Sequence, residues 1–197
     1  SVYIMPKDTE IEIDEPEDWI KAEKAFLKKT KNYDSKLELK AVIIDVDGTL
    51  TDGGMYYDKH GESLKKFNTR DGAAIHDLQR KGFKVLICTG ENSGPVDARM
   101  QKLGIKEYLA GKNEKLQSIN EWLRLSKLSW DEVIYVGDEL NDLSSMQKAK
   151  FSVCPSDANP IIKATADFVC NSKGGEGVVR ELVFWINDMW SNNGDMS

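Results

Sequence analysis

The sequence is poor in the residues that staple small domains or ligate metals through sulfur and imidazole. It has three cysteines, Cys88, Cys154 and Cys170, an odd count with no C-x-x-C pair. That pattern argues against a disulfide framework or zinc ribbon and for reduced thiols in a cytoplasmic protein. The two histidines, His60 and His76, lack metal-ligand spacing and read as structural residues of a turn and a helix. No apolar run approaches the roughly 20 residues of a membrane span. The N-terminus "SVYIMPKDTEIEIDEPEDW" has no basic region followed by an apolar one, so it is not a secretory signal. Basic residues are in deficit as well, and a net charge of -6 argues against nucleic acid or an anionic membrane as the main partner. What remains is 197 residues, 40% hydrophobic and 30% charged, enough for one α/β domain with a full core and some extra.

Charge divides the chain. Residues 7–18 carry seven acids and one lysine, whereas residues 21–40 carry seven lysines against three acids. From charge alone the acidic run reads as a solvated leader. From Leu39 onward apolar runs alternate with helical patterns: "KAVIIDV", "FKVLICT", "EVIYVGD", "FSVCP" and "ADFVC" fit buried strands, with "EYLA" a weaker one. Between them lie helices such as "DGAAIHDLQRKG", "SGPVDARMQKLG" and "KNEKLQSINEWLRLS", with Gly82 and Gly104 as stops and Asn113 as a candidate cap. Trp122, Trp185 and Trp190 read as helix-packing residues. This order predicts βαβ units around a parallel sheet, with ligands bound outside the carboxyl ends of the strands. One segment departs from it. "GGMYYDKHGESLKKFNTRDG" predicts a β-hairpin, Met55 to Tyr57 against Leu64 to Asn68, whose Tyr56, Tyr57 and Phe67 need a further surface, such as another subunit.

The strand ends hold the chemistry. "AVIIDVDGTLT" ends its apolar run in Asp45 and Asp47, "VLICTGE" in Thr89, Gly90 and Glu91, and "VIYVGDELND" in Asp138, Glu139, Asn141 and Asp142. Residues i and i+2 of a strand share a face, so Asp45 and Asp47 would converge and raise each other's pKa unless a cation or hydrogen bonds relieve them. Lys112 and Lys115 stand near a helix start. Carboxylates, a hydroxyl with backbone N–H groups, and a lysine suit a phosphoryl group beside Mg²⁺. One carboxylate can act as nucleophile and a second as acid and base, while hydroxyl, N–H and lysine hold the nonbridging oxygens.

These residues resemble the haloacid dehalogenase superfamily. "DVDGTLT" is similar to its D-x-D-G-T-L-T signature, and "CTG", a later lysine and "GDELND" match its other motifs in order. The resemblance implies an α/β, Rossmann-like fold, a parallel sheet with flanking helices, to which the narrower branch named next adds a β-hairpin insertion and no large cap domain. It implies Asp45 as nucleophile, Asp47 as acid/base, and Mg²⁺ held by Asp45, the Asp47 carbonyl and Asp138. Thr89, Gly90 and Lys115 would bind phosphate, with Asp142 supporting the lysine or the metal shell.

From about residue 39 to 190 the chain looks like the 3-deoxy-D-manno-octulosonate 8-phosphate phosphatase branch, through its hairpin and "KGGEGVVRE". That branch forms homotetramers in which a neighbour covers the site, which implies Arg70 facing the substrate and Gly174, Gly175 and Arg180 in the covering tail. The chain departs from it after "TG", where Glu91 stands in place of the usual Arg. Members acting on N-acylneuraminate or deaminoneuraminate 9-phosphate carry Glu there and a lysine eleven residues on, here Lys102. On this resemblance the expected substrate is a nine-carbon sugar-acid phosphate, with the octulosonate phosphate second. A non-catalytic tetramerisation domain is the alternative of another class. The leader's "IDEPEDWIKAE", with Asp14 and Asp18, resembles the end of acylneuraminate cytidylyltransferases. The expected organisation is therefore a leader over 1–38, attached to such a domain in a longer chain, and a phosphatase domain over 39–197.

Overall fold

The apolar run Ala41–Ile44 is fully buried and forms the middle of a sheet, as a strand covered on both faces must. The computed structural model describes residues 38–111 and 114–194. The leader with Asp14 and Asp18, the domain boundary drawn there, Lys112, Asn113 and the side chain of Trp190 lie outside the described residues.

Six strands build the main sheet: β1 (Ala41–Ile44), β4 (Lys84–Cys88), β5 (Glu107–Leu109), β6 (Val133–Val136), β7 (Phe151–Cys154) and β8 (Phe168–Val169). Their order is β5-β4-β1-β6-β7-β8 and every neighbouring pair is parallel. The crossover helices are α1 (Thr69–Arg80), α2 (Gly94–Lys102), α3 (Lys115–Ser126), the short α4 (Leu143–Met146) and α5 (Pro160–Thr165), followed by α6 (Val178–Gly194). The weak strand "EYLA" forms as the partly exposed edge strand β5. The order of strand addition reverses at β1, which pairs with β4 on one side and β6 on the other, so the switch point lies at the carboxyl end of β1.

Alternation along the strands divides the core into two layers. Ala41, Ile43, Leu86, Cys88 and Tyr135 pack with Ile119, Trp122 and Leu123 of α3 and with Ile162. On the other helical layer α1 packs against α6. Trp122 also donates from Nε1 to Glu107 at 2.8 Å, and Trp185 meets Phe151 edge-on and stacks on Phe168. The three cysteines are buried thiols. Asn68 caps α1 by accepting from the Arg70 N–H at 2.9 Å, and Gly82 and Gly104 follow α1 and α2 with φ of +89° and +62°.

The hairpin forms, with tighter strands than expected: β2 (Tyr56–Asp58) and β3 (Gly61–Leu64). Gly61, at φ +120°, brings the second strand in early, and Phe67 instead bridges back to Thr51. No larger insertion stands over the strand ends among the described residues. No helix among them is long and apolar enough to cross a membrane.

Candidate active site

Asp45 follows the last residue of β1, and its N–H still donates to the Val136 carbonyl at 2.9 Å, so the sheet itself aims this residue. The chain then turns. The N–H groups of Thr49, Leu50 and Thr51 converge on the Val46 carbonyl, with Gly48 at φ +81°. A Cβ on Gly48 would lie 2.0 Å from Asp138 Oδ2, so glycine is what lets the end of β6 come this close. Thr49 Oγ1 donates to Asp138 Oδ1 at 3.0 Å.

Lys115, the first residue of α3, reaches under this turn with only 2% of its surface exposed. Its ammonium bonds Asp45 Oδ1 at 2.7 Å and Asp142 Oδ1 at 2.8 Å. Asp142 is saturated: Tyr135 Oη donates to Oδ1 at 2.7 Å, and the N–H groups of Asp138 and Glu139 donate to Oδ2 at 3.1 and 3.3 Å. Burial would lower the Lys115 pKa, but the charges of Asp45 and Asp142 outweigh it and raise it. Asp45 is held well above the usual carboxylate range by burial and by the Asp142 charge, with Lys115 offsetting only part. Asp138 is pushed up to about 7 by burial first and Asp142 next.

Carboxylate oxygens of Asp45, Asp138 and Asp142 lie within 4.8 Å of one another. Three acids against one lysine leave an excess of negative charge in a partly dry site, and the raised carboxyls register it. An all-oxygen donor set with surplus charge fits Mg²⁺. Because Asp142 is already engaged by four donors, Asp45 and Asp138 are the side chains left to hold the ion.

The residues face a cavity of about 270 Å³ lined by Asp45, Asp47, Thr89, Gly90, Glu91, Lys115 and Asp138, with Gly53, Met55 and Asn141 among its other walls. Thr89 is buried at the end of β4, and its Oγ1 accepts from the Glu91 N–H at 3.2 Å.

Several sequence expectations change here. Asp45 and Asp47 line one cavity, but they reach it from a turn and not as strand neighbours, because β1 stops at Ile44. Asp47 Oδ1 instead meets Lys65, just beyond β3, and accepts from Thr51 Oγ1 at 3.5 Å. Arg70 is exposed in the first turn of α1 and does not line the cavity. Lys102 is equally absent from it, because α2 rises ~1.5 Å per residue and carries its last turn away from Glu91. Arg180 lies near the start of α6, 3.3 Å from Asp77 and over the Phe184 ring. Gly174 and Gly175 form no free tail: Gly175 donates to the Thr49 carbonyl at 3.0 Å and packs on the turn after Asp47. Lys65, Tyr135 and Thr49 were not singled out from the sequence. A lysine between Leu64 and Phe67 gave no sign of which of two neighbours turns inward.

Comparison with known proteins decides the family. The haloacid dehalogenase-like hydrolase family matches over residues 42–113 and 109–182. The chain belongs to the haloacid dehalogenase-like hydrolases. Within them this hydrolase falls in the octulosonate phosphatase branch and is a phosphomonoester hydrolase using a divalent cation. The 3-deoxy-D-manno-octulosonate 8-phosphate phosphatase of Salmonella typhi is 38% identical over 144 residues, 73% of this chain and 77% of the relative. The cobalt-bound form of the Haemophilus influenzae enzyme superposes with a TM-score of 0.76 at 31% identity, over 83% of this chain and 96% of that one. The Moraxella catarrhalis enzyme, solved with magnesium, phosphate and the sugar acid, gives 0.75 at 29%, over 82% and 92%.

Proposed function

We propose that the hydrolase is a Mg²⁺-dependent sugar-acid phosphatase working through an aspartyl-phosphate, with 3-deoxy-D-manno-octulosonate 8-phosphate as its first candidate substrate. The observation that carries the chemistry is Asp45 at the switch point, bonded to buried Lys115 and facing Asp138 across the cavity. Mg²⁺, held by Asp45, Asp138 and the Asp47 carbonyl, would neutralise phosphate charge and relieve the carboxylate repulsion. Thr89, the Gly90 loop and Lys115 hold the nonbridging oxygens. Asp45 attacks phosphorus, Asp47 protonates the departing sugar oxygen, and Asp47 then takes a proton from the water that frees Asp45. Tyr135 and the two N–H groups on Asp142 keep Lys115 in place without entering the reaction.

The eight-carbon substrate comes first because the relatives that span 73% of the chain carry that name. This reverses the order expected from Glu91 and Lys102, since Lys102 does not reach the cavity. The nine-carbon reading keeps one observation: Glu91 lines the cavity wall, where a carboxylate favours hydroxyl donors over a second anion. Assembly into a homotetramer is supported by Met55, Tyr56, Tyr57 and Leu64, which are 42–68% exposed on the hairpin.

The test is phosphate release from octulosonate 8-phosphate, N-acetylneuraminate 9-phosphate and deaminoneuraminate 9-phosphate, with Mg²⁺ or EDTA, beside Asp45→Asn. Preference for the octulosonate supports the first reading and preference for a nine-carbon acid the second. No Mg²⁺-dependent turnover of any of them overturns both and leaves a tetramerisation role.

A further inference from the structure

The side chain of Lys65 has no solvent exposure, although it follows a hairpin whose outer face is bare. Its ammonium is ion-paired to Asp47 Oδ1 and lies 3.1 Å from Glu62 Oε1. Thr51 Oγ1 also donates to Asp47 Oδ1, whereas Asp47 Oδ2 is buried and accepts no hydrogen bond. Lys65 does not line the cavity, so it acts on what Asp47 does rather than on the phosphate. Glu62 in turn accepts from Ser93, two residues past Glu91. The hairpin is thus tied to the acid/base on one side and to the substrate loop on the other.

A carboxylate turns readily about its last torsion. Pinning one oxygen fixes the plane of the group and the direction of the other. We propose that Lys65 is a positioning residue for Asp47, holding Oδ1 so that Oδ2 is the atom that gives and takes the proton. The inference rests on the reading of Asp47 as acid/base. In the first step the bond from Asp45 to phosphorus forms, the bond to the sugar oxygen breaks, and the proton on Oδ2 moves to that oxygen. In the second, water bonds to phosphorus, its proton returns to Oδ2, and the bond to Asp45 breaks. An Asp47 without Lys65 is misdirected in both steps, while attack by Asp45 on an ester with a good leaving group needs neither.

The test uses rapid mixing of the full chain with p-nitrophenyl phosphate, whose leaving group departs without a proton, for wild type, Lys65→Met, Lys65→Arg and Asp47→Asn. Proton transfer by a positioned side chain contributes about 10²–10⁴-fold, so steady-state turnover of Lys65→Met should fall at least about tenfold, with Asp47→Asn as the lower bound. Its first turnover should stay within about twofold of wild type, giving a burst of p-nitrophenolate of about one per site. Lys65→Arg should recover part of the turnover, since it restores the cation. A surviving burst shows a folded, working Asp45 site, so misfolding and mispositioning are separable. The artificial substrate also keeps the result independent of which sugar acid is natural. Unchanged steady-state turnover in Lys65→Met overturns the proposal, as does loss of the burst together with turnover in both Lys65 variants.

Discussion

Replacing Gly174 by alanine tests how the active-site turn is held. An added Cβ would stand 2.0 Å from the Gly48 carbonyl oxygen and 2.9 Å from that of Thr51. Both neighbours are backbone, so no flexible side chain can move aside. Relief to ordinary contact requires one chain segment to retreat by about 1.5 Å. Gly174 has no positive φ, so the penalty is steric and not conformational. Overpacking of this kind costs about 1–3 kcal/mol. In a domain of this size that lowers the melting temperature by about 2–12 °C. The larger effect is on catalysis. Gly48 is the residue after Asp47 and borders the Asp138 carboxylate, and a misplacement near 1 Å costs about 10²-fold in rate. Thermal melting and steady-state phosphate release should therefore both respond, with activity lost out of proportion to stability. Gly94→Ala is the control, because nothing lies within 4 Å of its Cβ and it opens α2 without a positive φ. It should raise stability by about 0.4–1 kcal/mol and leave turnover unchanged. A Gly174→Ala protein with wild-type turnover and melting would refute the claim that this turn is wedged against the site.

Lys115→Met should reduce turnover by about 10²-fold or more, since it removes the cation between Asp45 and Asp142. It should also cost about 3–5 kcal/mol in chemical denaturation with EDTA present, because two buried acids lose their partner. Chelation of divalent ions should abolish phosphate release from wild type, and added Mg²⁺ should restore it, as the surplus of acids around Lys115 requires. Glu181 supplies a pH test. Burial works to raise its carboxyl, but the Asn171 and Ser172 N–H groups, at 2.7 and 3.0 Å, hold it below the usual range. A depressed folded pKa adds stability that is complete above the unfolded value, ~4.3, and is lost as pH falls through the folded one. The denaturation gap between wild type and Glu181→Gln should therefore be widest near neutrality and close with acidification below pH ~4. A gap independent of pH would refute the assignment.

The parallel sheet was legible because residues 41–44, 85–88 and 133–136 are unbroken apolar runs, which only two-sided burial explains. The site residues at their ends followed, since the topology of such sheets fixes where ligands bind. Lys115 over Lys112 followed from the resemblance, which puts the lysine at the helix start. What period-two reasoning could not give was the direction of Asp47. It assumes that the strand continues, whereas β1 ends at Ile44 and the chain turns, with a positive φ at Gly48 four residues on. Arg70 and Arg180 were placed by resemblance to an assembly and Lys102 by resemblance to the nine-carbon members, and within one chain none of them lines the cavity. Lys65 was hidden for a different reason. Its burial comes from tertiary pairing with Asp47 and Glu62, which neither hydrophobic pattern nor charge count reports.

The two carboxylates assigned to the reaction hang from parts of the fold with unequal opening free energies. Asp45 extends the central strand of a six-stranded sheet, and such strands exchange their amide protons only when the whole domain opens. Asp47 is steadied through a hairpin of three- and four-residue strands, paired through their backbones only to each other and bare on one side. Local opening of that hairpin needs far less energy than global unfolding. On warming, the grip on Asp47 is therefore released while Asp45, Lys115 and Asp138 stay assembled. The expected consequence is a temperature range in which the folded enzyme still takes up phosphate on Asp45 yet discharges it slowly.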